Sequence, residues 1–224
     1  MKIILKNITY LCTFITKCIE DRGIKELNFD IDFYWNIWPE LSYELKIEKP
    51  ELTISSLKDD WKRLKEVLNG EYPLLSYDFP LLGKVMKLSS YAIYNGGTLS
   101  YTCVKNTNTQ KNSDLVSFES DESILKIKLH ELLDICMILV QQAANEQHQE
   151  FEIEPNYYWN IKPEESYNMS VEEPSMEMRS LIEDFTSLKK ILDGERSAIP
   201  IDLEYLGNII RILIYFGDRT SSYP

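Results

Sequence analysis

The chain has 224 residues, 24 basic and 36 acidic side chains, and a net charge of −12. Hydrophobic residues make up 44% and aromatics 12%, ample apolar material for a packed core, which excludes a disordered chain. The acidic balance argues against nucleic acid or an anionic membrane as partner, because both repel such a surface, and it leaves room for a basic protein partner.

Every element is written twice. FYWNIWPELSY begins at Phe33 and YYWNIKPEESY at Tyr157, and an ungapped shift of 124 residues matches 21 of the 50 positions from 34 to 83. Agreement of that extent implies a tandem duplication, since two copies are too few for a solenoid. The expected division is a first repeat over 1–93, a connecting segment over 94–124 and a second repeat over 125–224.

In chain order, the first element is read as an amphipathic core helix over about 2–20, with its counterpart over 124–146. Ile4, Ile8, Leu11, Ile15 and Ile19 recur at helical spacing. Lys6, Asn7, Thr9, Thr13 and Lys17 interrupt the run, so neither an export signal nor a membrane span is expected there. Cys12 aligns with Cys136 inside this helix. No pair of cysteines has C-x-x-C spacing, so Cys12, Cys18, Cys103 and Cys136 are expected to be reduced, inert thiols of a cytoplasmic protein.

Next, Leu27, Phe29, Ile31 and Phe33 alternate with polar residues, as Phe151, Ile153 and Tyr157 do later. Period two predicts a half-buried strand, at an edge or bulged near Pro155. YELKIE at 43–48 and YNMSVE at 167–172 alternate in the same way and are expected to pair antiparallel with that strand. Pro50 and Pro174 end the run. The next helix is framed by Ser56 to Asp59 and by Ser180 to Glu183, both matching a capping box. Leu57, Trp61, Leu64 and Leu68 form its apolar stripe, repeated by Leu181, Phe185, Leu188 and Leu192, and Gly70 and Gly194 stand where a left-handed C-terminal cap belongs. A last helix is expected from the N-caps Asp78 and Asp202 to about Tyr91 and Tyr215. Gly83 and Gly207 within it imply close approach of another backbone. The result is an α+β fold of two tandem pseudo-symmetric α-β-β-α-α repeats, with helices packed on small antiparallel sheets. In the connecting segment, TLSYTCV and DLVSFES flank the polar NTNTQKNS and are read as a β-hairpin, with a disordered linker as the alternative.

No catalytic constellation emerges. His130 and His148 have Lys6 and Ile24 as counterparts, so neither belongs to the duplicated design. There is no glycine-rich phosphate loop and no nucleophile elbow. Asp59, Asp60, Glu183 and Asp184 offer paired acids to a metal, but their positions suit helix N-terminal capping better. No metal and no cofactor are expected. Tyr34/Tyr158, Trp35/Trp159, Asn36/Asn160 and Tyr43/Tyr167 support two readings: a structural corner whose polar tips bond to the turn, which is preferred, or a duplicated partner-binding pocket centred on Trp35 and Trp159.

Charge separates the copies. Residues 1–100 hold 13 basic and 14 acidic side chains, residues 101–124 hold 2 and 4, and residues 125–224 hold 9 and 18, for net charges of −1, −2 and −9. Glu150, Glu152 and Glu154 alternate along one strand, and Glu164, Glu165, Glu172 and Glu173 follow. Such a face can steer a basic partner, or it can simply keep the protein soluble. The residues assigned to partner binding are Glu150, Glu152, Glu154, Glu164, Glu165, Trp35 and Trp159.

YYWNI, P-E-x-x-Y, SLKDDW at 56–61 and SLIEDF at 180–185 resemble a family of small bacterial domains with a Y-Y-W-N-I strand and an S-L-x-D-D-W helix start. Phe185 departs from the family pattern by replacing its tryptophan. The resemblance covers nearly all of both copies and carries no catalytic assignment. By analogy such acidic domains are similar to bacterial immunity proteins, which neutralise toxins by binding. The expectation is a non-catalytic cytoplasmic binding module, an immunity protein facing a basic toxin. The alternatives are an adaptor gripping a symmetric partner through both copies, and a metal-dependent enzyme.

Overall fold

The computed structural model describes residues 2–43, 49–99, 124–145, 150–152 and 157–213. It is a mixed α+β structure. The chain opens with strand β1 (Lys2–Ile4) and helix α1 (Leu5–Glu20), then β2 (Glu26–Phe29), β3 (Phe33–Ile37), the single turn α2 (Pro39–Ser42), β4 (Leu52–Ser56), α3 (Leu57–Leu68), α4 (Asp78–Tyr94) and β5 (Thr98–Leu99). The series continues with β6 (Leu125–Lys128), α5 (Leu129–Asn145), β7 (Glu150–Glu152), β8 (Tyr157–Ile161), α6 (Pro163–Ser166), β9 (Met176–Ser180), α7 (Leu181–Leu192) and α8 (Ile201–Arg211).

Several local expectations are corrected. Residues 2–4 and 125–128 are strands, not the first turns of helices, because each finds a partner far along the chain. β1 pairs antiparallel with β7, and β2 pairs antiparallel with β6. The alternating run 27–33 is not one strand: β2 and β3 belong to different sheets, with residues 30–32 between them. YELKIE lies, apart from Tyr43, outside the described residues. Its counterpart holds no strand, since Met169 and Val171 sit in a turn where Asn168 Oδ1 accepts from the Ser170 N–H at 3.2 Å. Local side-chain bonds of this kind compete with a ladder. The strands that pair with β3 and β8 come after the prolines instead, as β4 and β9. The sheets are small and mostly antiparallel, but β5 lies parallel to β2. The rest of the segment read as a hairpin, Ser100 to residue 123, is outside the described residues.

The helix punctuation is found as expected. Ser56 Oγ accepts from the Asp59 N–H at 3.1 Å and Ser180 Oγ from the Glu183 N–H at 3.2 Å, each satisfying one orphan donor of a helix start. Gly70 (φ 73°) and Gly194 (φ 74°) take the left-handed conformation that ends α3 and α7. Asp78 and Asp202, however, are not N-caps. They lie within the first turn of α4 and α8, fully buried, and accept the N–H of the residue three earlier, Leu75 and Ile199, each at 2.8 Å.

The centre of the molecule is the crossing of α4 and α8. A methyl group built on Gly83 would collide with the Gly207 carbonyl oxygen, and one on Gly207 would come within 2.5 Å of the Gly83 carbonyl oxygen and 3.1 Å of Met86 Cβ. Glycine is therefore required at both positions for the backbones to touch. α1 packs against α5 nearby, and Cys12 and Cys136 are fully buried there. The buried side chains contributed before and after the connecting segment form one continuous core.

Candidate functional site

β3 and β8 meet beside the α4–α8 crossing, and a cleft opens between them. Both strands follow the same pattern of exposure, so the tyrosine and asparagine of each YWN point inward while the tryptophan is half-buried. Tyr34, Trp35, Asn36, Lys84, Lys87, Trp159 and Arg211 are among the residues that line the cleft. The two tryptophans expected as partner contacts thus share one cleft, and their indole nitrogens are buried.

Each inward tyrosine donates to an acid of the following helix. Tyr34 bonds Asp60, and Tyr158 bonds Asp184 at 2.6 Å. Burial raises Tyr34 and Tyr158 well above the usual phenol range and also pushes the carboxyls of Asp60 and Asp184 upward. The two environments then diverge. Asn208 donates to Tyr158 Oη at 2.7 Å and to Asp184 at 3.1 Å, while Arg179 bridges Asp184 at 3.0 Å and Glu204 at 2.7 Å. Asp60 instead has the charge of Lys84 near it, which lowers its carboxyl against the effect of burial.

Two basic side chains cross from one part of the chain to the other. Lys87 of α4 donates to Asn160 Oδ1 at 2.7 Å and to the Ile161 carbonyl. Arg211 of α8 donates to the Ile37 carbonyl and to Ser42 Oγ, both at 3.1 Å. Burial pushes Lys87 down to about 7, opposed by the negative charge of Glu204. These residues were not among the expected site positions. The 124-residue register runs past Gly83 and Gly207 to pair Lys87 with Arg211, two basic residues at one offset, and that was the available signal.

The acidic positions are distributed differently. Glu150 is exposed and opposite Ile4 in the β1–β7 ladder, and Glu152 lies opposite Lys2. Glu154 falls outside the described residues. Glu164 is exposed on α6. Glu165 is tied back, its carboxylate accepting from the Ser175 N–H and hydroxyl at 2.6 Å, and these bonds hold it below the usual carboxylate range. Glu173 pairs with Lys49, with both side chains about half exposed, an arrangement of little energetic weight. Asp184, Asp202 and Glu204 are interior and paired with Arg179 and Arg196. With Arg179, Arg196 and the buried Arg211 these three acids cancel, so the −9 of the later region comes from other acids.

The acids offered to a metal do not converge. Asp59 and Glu183 are exposed at their helix starts, while Asp60 and Asp184 turn to the tyrosines. Among the described residues no group of three or more His, Cys, Asp or Glu side chains could hold a metal ion. His130 is exposed, and His148 and Cys103 lie outside the described residues. Cys12, Cys18 and Cys136 are free thiols. A hydrogen bond with Cys12, together with burial, raises the Cys136 thiol well above its usual value. Among the described residues no helix is long and apolar enough to cross a membrane.

The chain matches no protein-family model, no curated protein and no solved structure.

Proposed function

We propose that the chain is a tandem duplication whose two copies pack as a pseudo-symmetric pair, and that the pair is a non-catalytic cytoplasmic binding protein of the immunity type, occluding a basic toxin. The duplication is supported by elements that recur at an offset of 124: β3 and β8, α2 and α6, β4 and β9, and α3 and α7 all begin and end in register. The reciprocal reach of Lys87 and Arg211, also 124 apart, to the carbonyls of Ile161 and Ile37 supports it further.

The binding role is carried by one observation. After the interior acids are paired with their arginines, Glu150, Glu164, Glu172, Glu173 and Glu183 remain exposed on the later copy. Fixed surface charge of one sign speeds encounter with a partner of the other sign. The resemblance of YYWNI and SLKDDW to a family of small bacterial domains, themselves similar to immunity proteins only by analogy, is in keeping with this reading.

The test is co-expression with the product of the adjacent reading frame. The wild-type chain should relieve that product's toxicity. A Glu150→Lys, Glu152→Lys, Glu164→Lys variant should bind it at least about tenfold more slowly in low salt, with the difference shrinking as salt is added. Unchanged association would remove the acidic face from the reading, and absence of binding by the wild type would remove the immunity role. The adaptor alternative rests on both tryptophans lining one cleft. It requires Trp35→Ala and Trp159→Ala to weaken a symmetric partner equally.

A further inference from the structure

The cleft between β3 and β8 has an unbalanced set of hydrogen-bonding groups. Four buried nitrogens that line it or border it have no partner among the described residues: Trp35 Nε1, Trp159 Nε1, Asn36 Nδ2 and Arg211 Nε. All four can only donate. Among the acceptors nearby, the Ile37 carbonyl receives Arg211, and the Ile161 carbonyl and Asn160 Oδ1 receive Lys87. The unpartnered buried side-chain atoms of the lining residues are thus all donors.

Charge points the same way. Arg211 is only 5% exposed, and its hydrogen bonds go to a carbonyl and a hydroxyl, with no carboxylate partner among the described residues. Its neighbours in charge are assigned elsewhere: Asp184 and Glu204 to Arg179, and Asp60 to Tyr34. Lys84, 6% exposed, lines the same cleft. A buried guanidinium without a counter-ion is an expensive arrangement unless something negative joins it. The cavity is about 20 Å³, room for roughly one water-sized species. Water accepts two hydrogen bonds but brings two protons that need acceptors of their own, whereas a halide-sized anion accepts from several donors and offers none.

We propose that this cleft is a binding site for one small inorganic anion of halide size, serving as the counter-ion of Arg211 and accepting from the indole N–H groups of Trp35 and Trp159 and from the Asn36 amide. The anion joins β3 of one copy, β8 of the other and the end of α8, so its binding is coupled to the docking of the copies. The site is independent of the acidic face and stands or falls separately from the immunity reading.

The experiment uses the full chain. Thermal unfolding is followed in sodium chloride and in sodium gluconate at equal ionic strength, and crystals grown in sodium bromide are examined for anomalous signal. The expected result is a midpoint that rises with chloride concentration as mass action requires, no such rise with the larger gluconate, and bromide in the cleft. Trp35→Phe, which keeps the ring and removes the donor, should weaken the apparent chloride affinity at least tenfold, and Arg211→Met should abolish the chloride dependence. If Arg211→Met fails to fold, the phenylalanine variant decides. Equal responses to chloride and gluconate, water alone in the cleft, or an unchanged chloride dependence in Trp35→Phe would overturn the proposal.

Discussion

Lys87 is 7% exposed and faces Glu204, Glu177, Arg211 and Arg179. A neutral amine has two protons to donate, and Lys87 has two acceptors, Asn160 Oδ1 and the Ile161 carbonyl. The third proton of the ammonium is the one that burial penalises, which brings the group down to about 7. The unfolded lysine keeps its proton to about pH 10. Between these values the unfolded chain binds more protons than the folded one, so this group makes stability rise with pH across that window, and its penalty is complete below about pH 7. Lys87→Met should flatten the rise relative to wild type in urea midpoints measured from pH 7 to 10. Parallel slopes in the two proteins would contradict the assignment. The buried aspartates show a second residue-scale effect. Arg63 of α3 holds Asp78 at 2.9 Å, whereas the position 124 residues on is Ser187, and Arg196 holds Asp202 instead while also donating to the Ser187 carbonyl and hydroxyl. The buried carboxylate is retained and its cation arrives from a different backbone position. Arg196→Ala should destabilise by about 3 kcal/mol, because a buried charge is left alone. Ser187→Arg on that background should recover part of the loss in chemical denaturation.

Among the elements, the α4–α8 crossing depends most narrowly on sequence. An alanine in an exposed helix would gain about 1 kcal/mol over glycine. At Gly83 and Gly207 the added methyl meets backbone oxygen, which has no rotamer to yield. Each single Gly→Ala change should therefore destabilise by about 1–3 kcal/mol or more, since overpacking forces the backbones apart. Gly83→Ala should be the worse of the two: its methyl would also strike Arg211 Cγ and so disturb the Arg211 bonds to Ile37 and Ser42. Equilibrium denaturation of the two variants checks both the sign and the order.

For the whole molecule, the informative feature is that strands are exchanged. β1 is completed by β7 and β2 by β6, while Lys65 reaches Glu131 at 2.6 Å and Arg22 reaches the Ala198 carbonyl at 2.9 Å. Without the other part, β1, β6 and β7 lose their partners and the shared core is uncovered, although β2–β5, β3–β4 and β8–β9 pair within one part. Expressed separately, residues 1–99 and 124–224 should each lack cooperative unfolding. Mixed together they should regain one transition, monitored by circular dichroism and tryptophan fluorescence. Independent folding of either fragment would show that the exchanged strands are dispensable.

The amino-acid sequence by itself determined what depends on short range or on the recurring 124-residue register. Ser56 and Ser180 announced their helices because a cap is satisfied within three residues, and Gly83 and Gly207 announced a close crossing because glycine inside a helix costs about 1 kcal/mol relative to alanine. It did not disclose β1, β6 or the break between β2 and β3, since three or four residues carry too little periodicity and their partners lie about a hundred or more positions away. The site was legible in part. The repeated Tyr-Trp-Asn marked where the chain converges, but pairing of Arg179 with Glu204, the reach of Lys87 and Arg211, and the donor-rich cleft arose only when packing brought distant groups into one low-dielectric space. Counting charges showed an acidic later region, and only the tertiary structure decided which acids face solvent and which are neutralised inside.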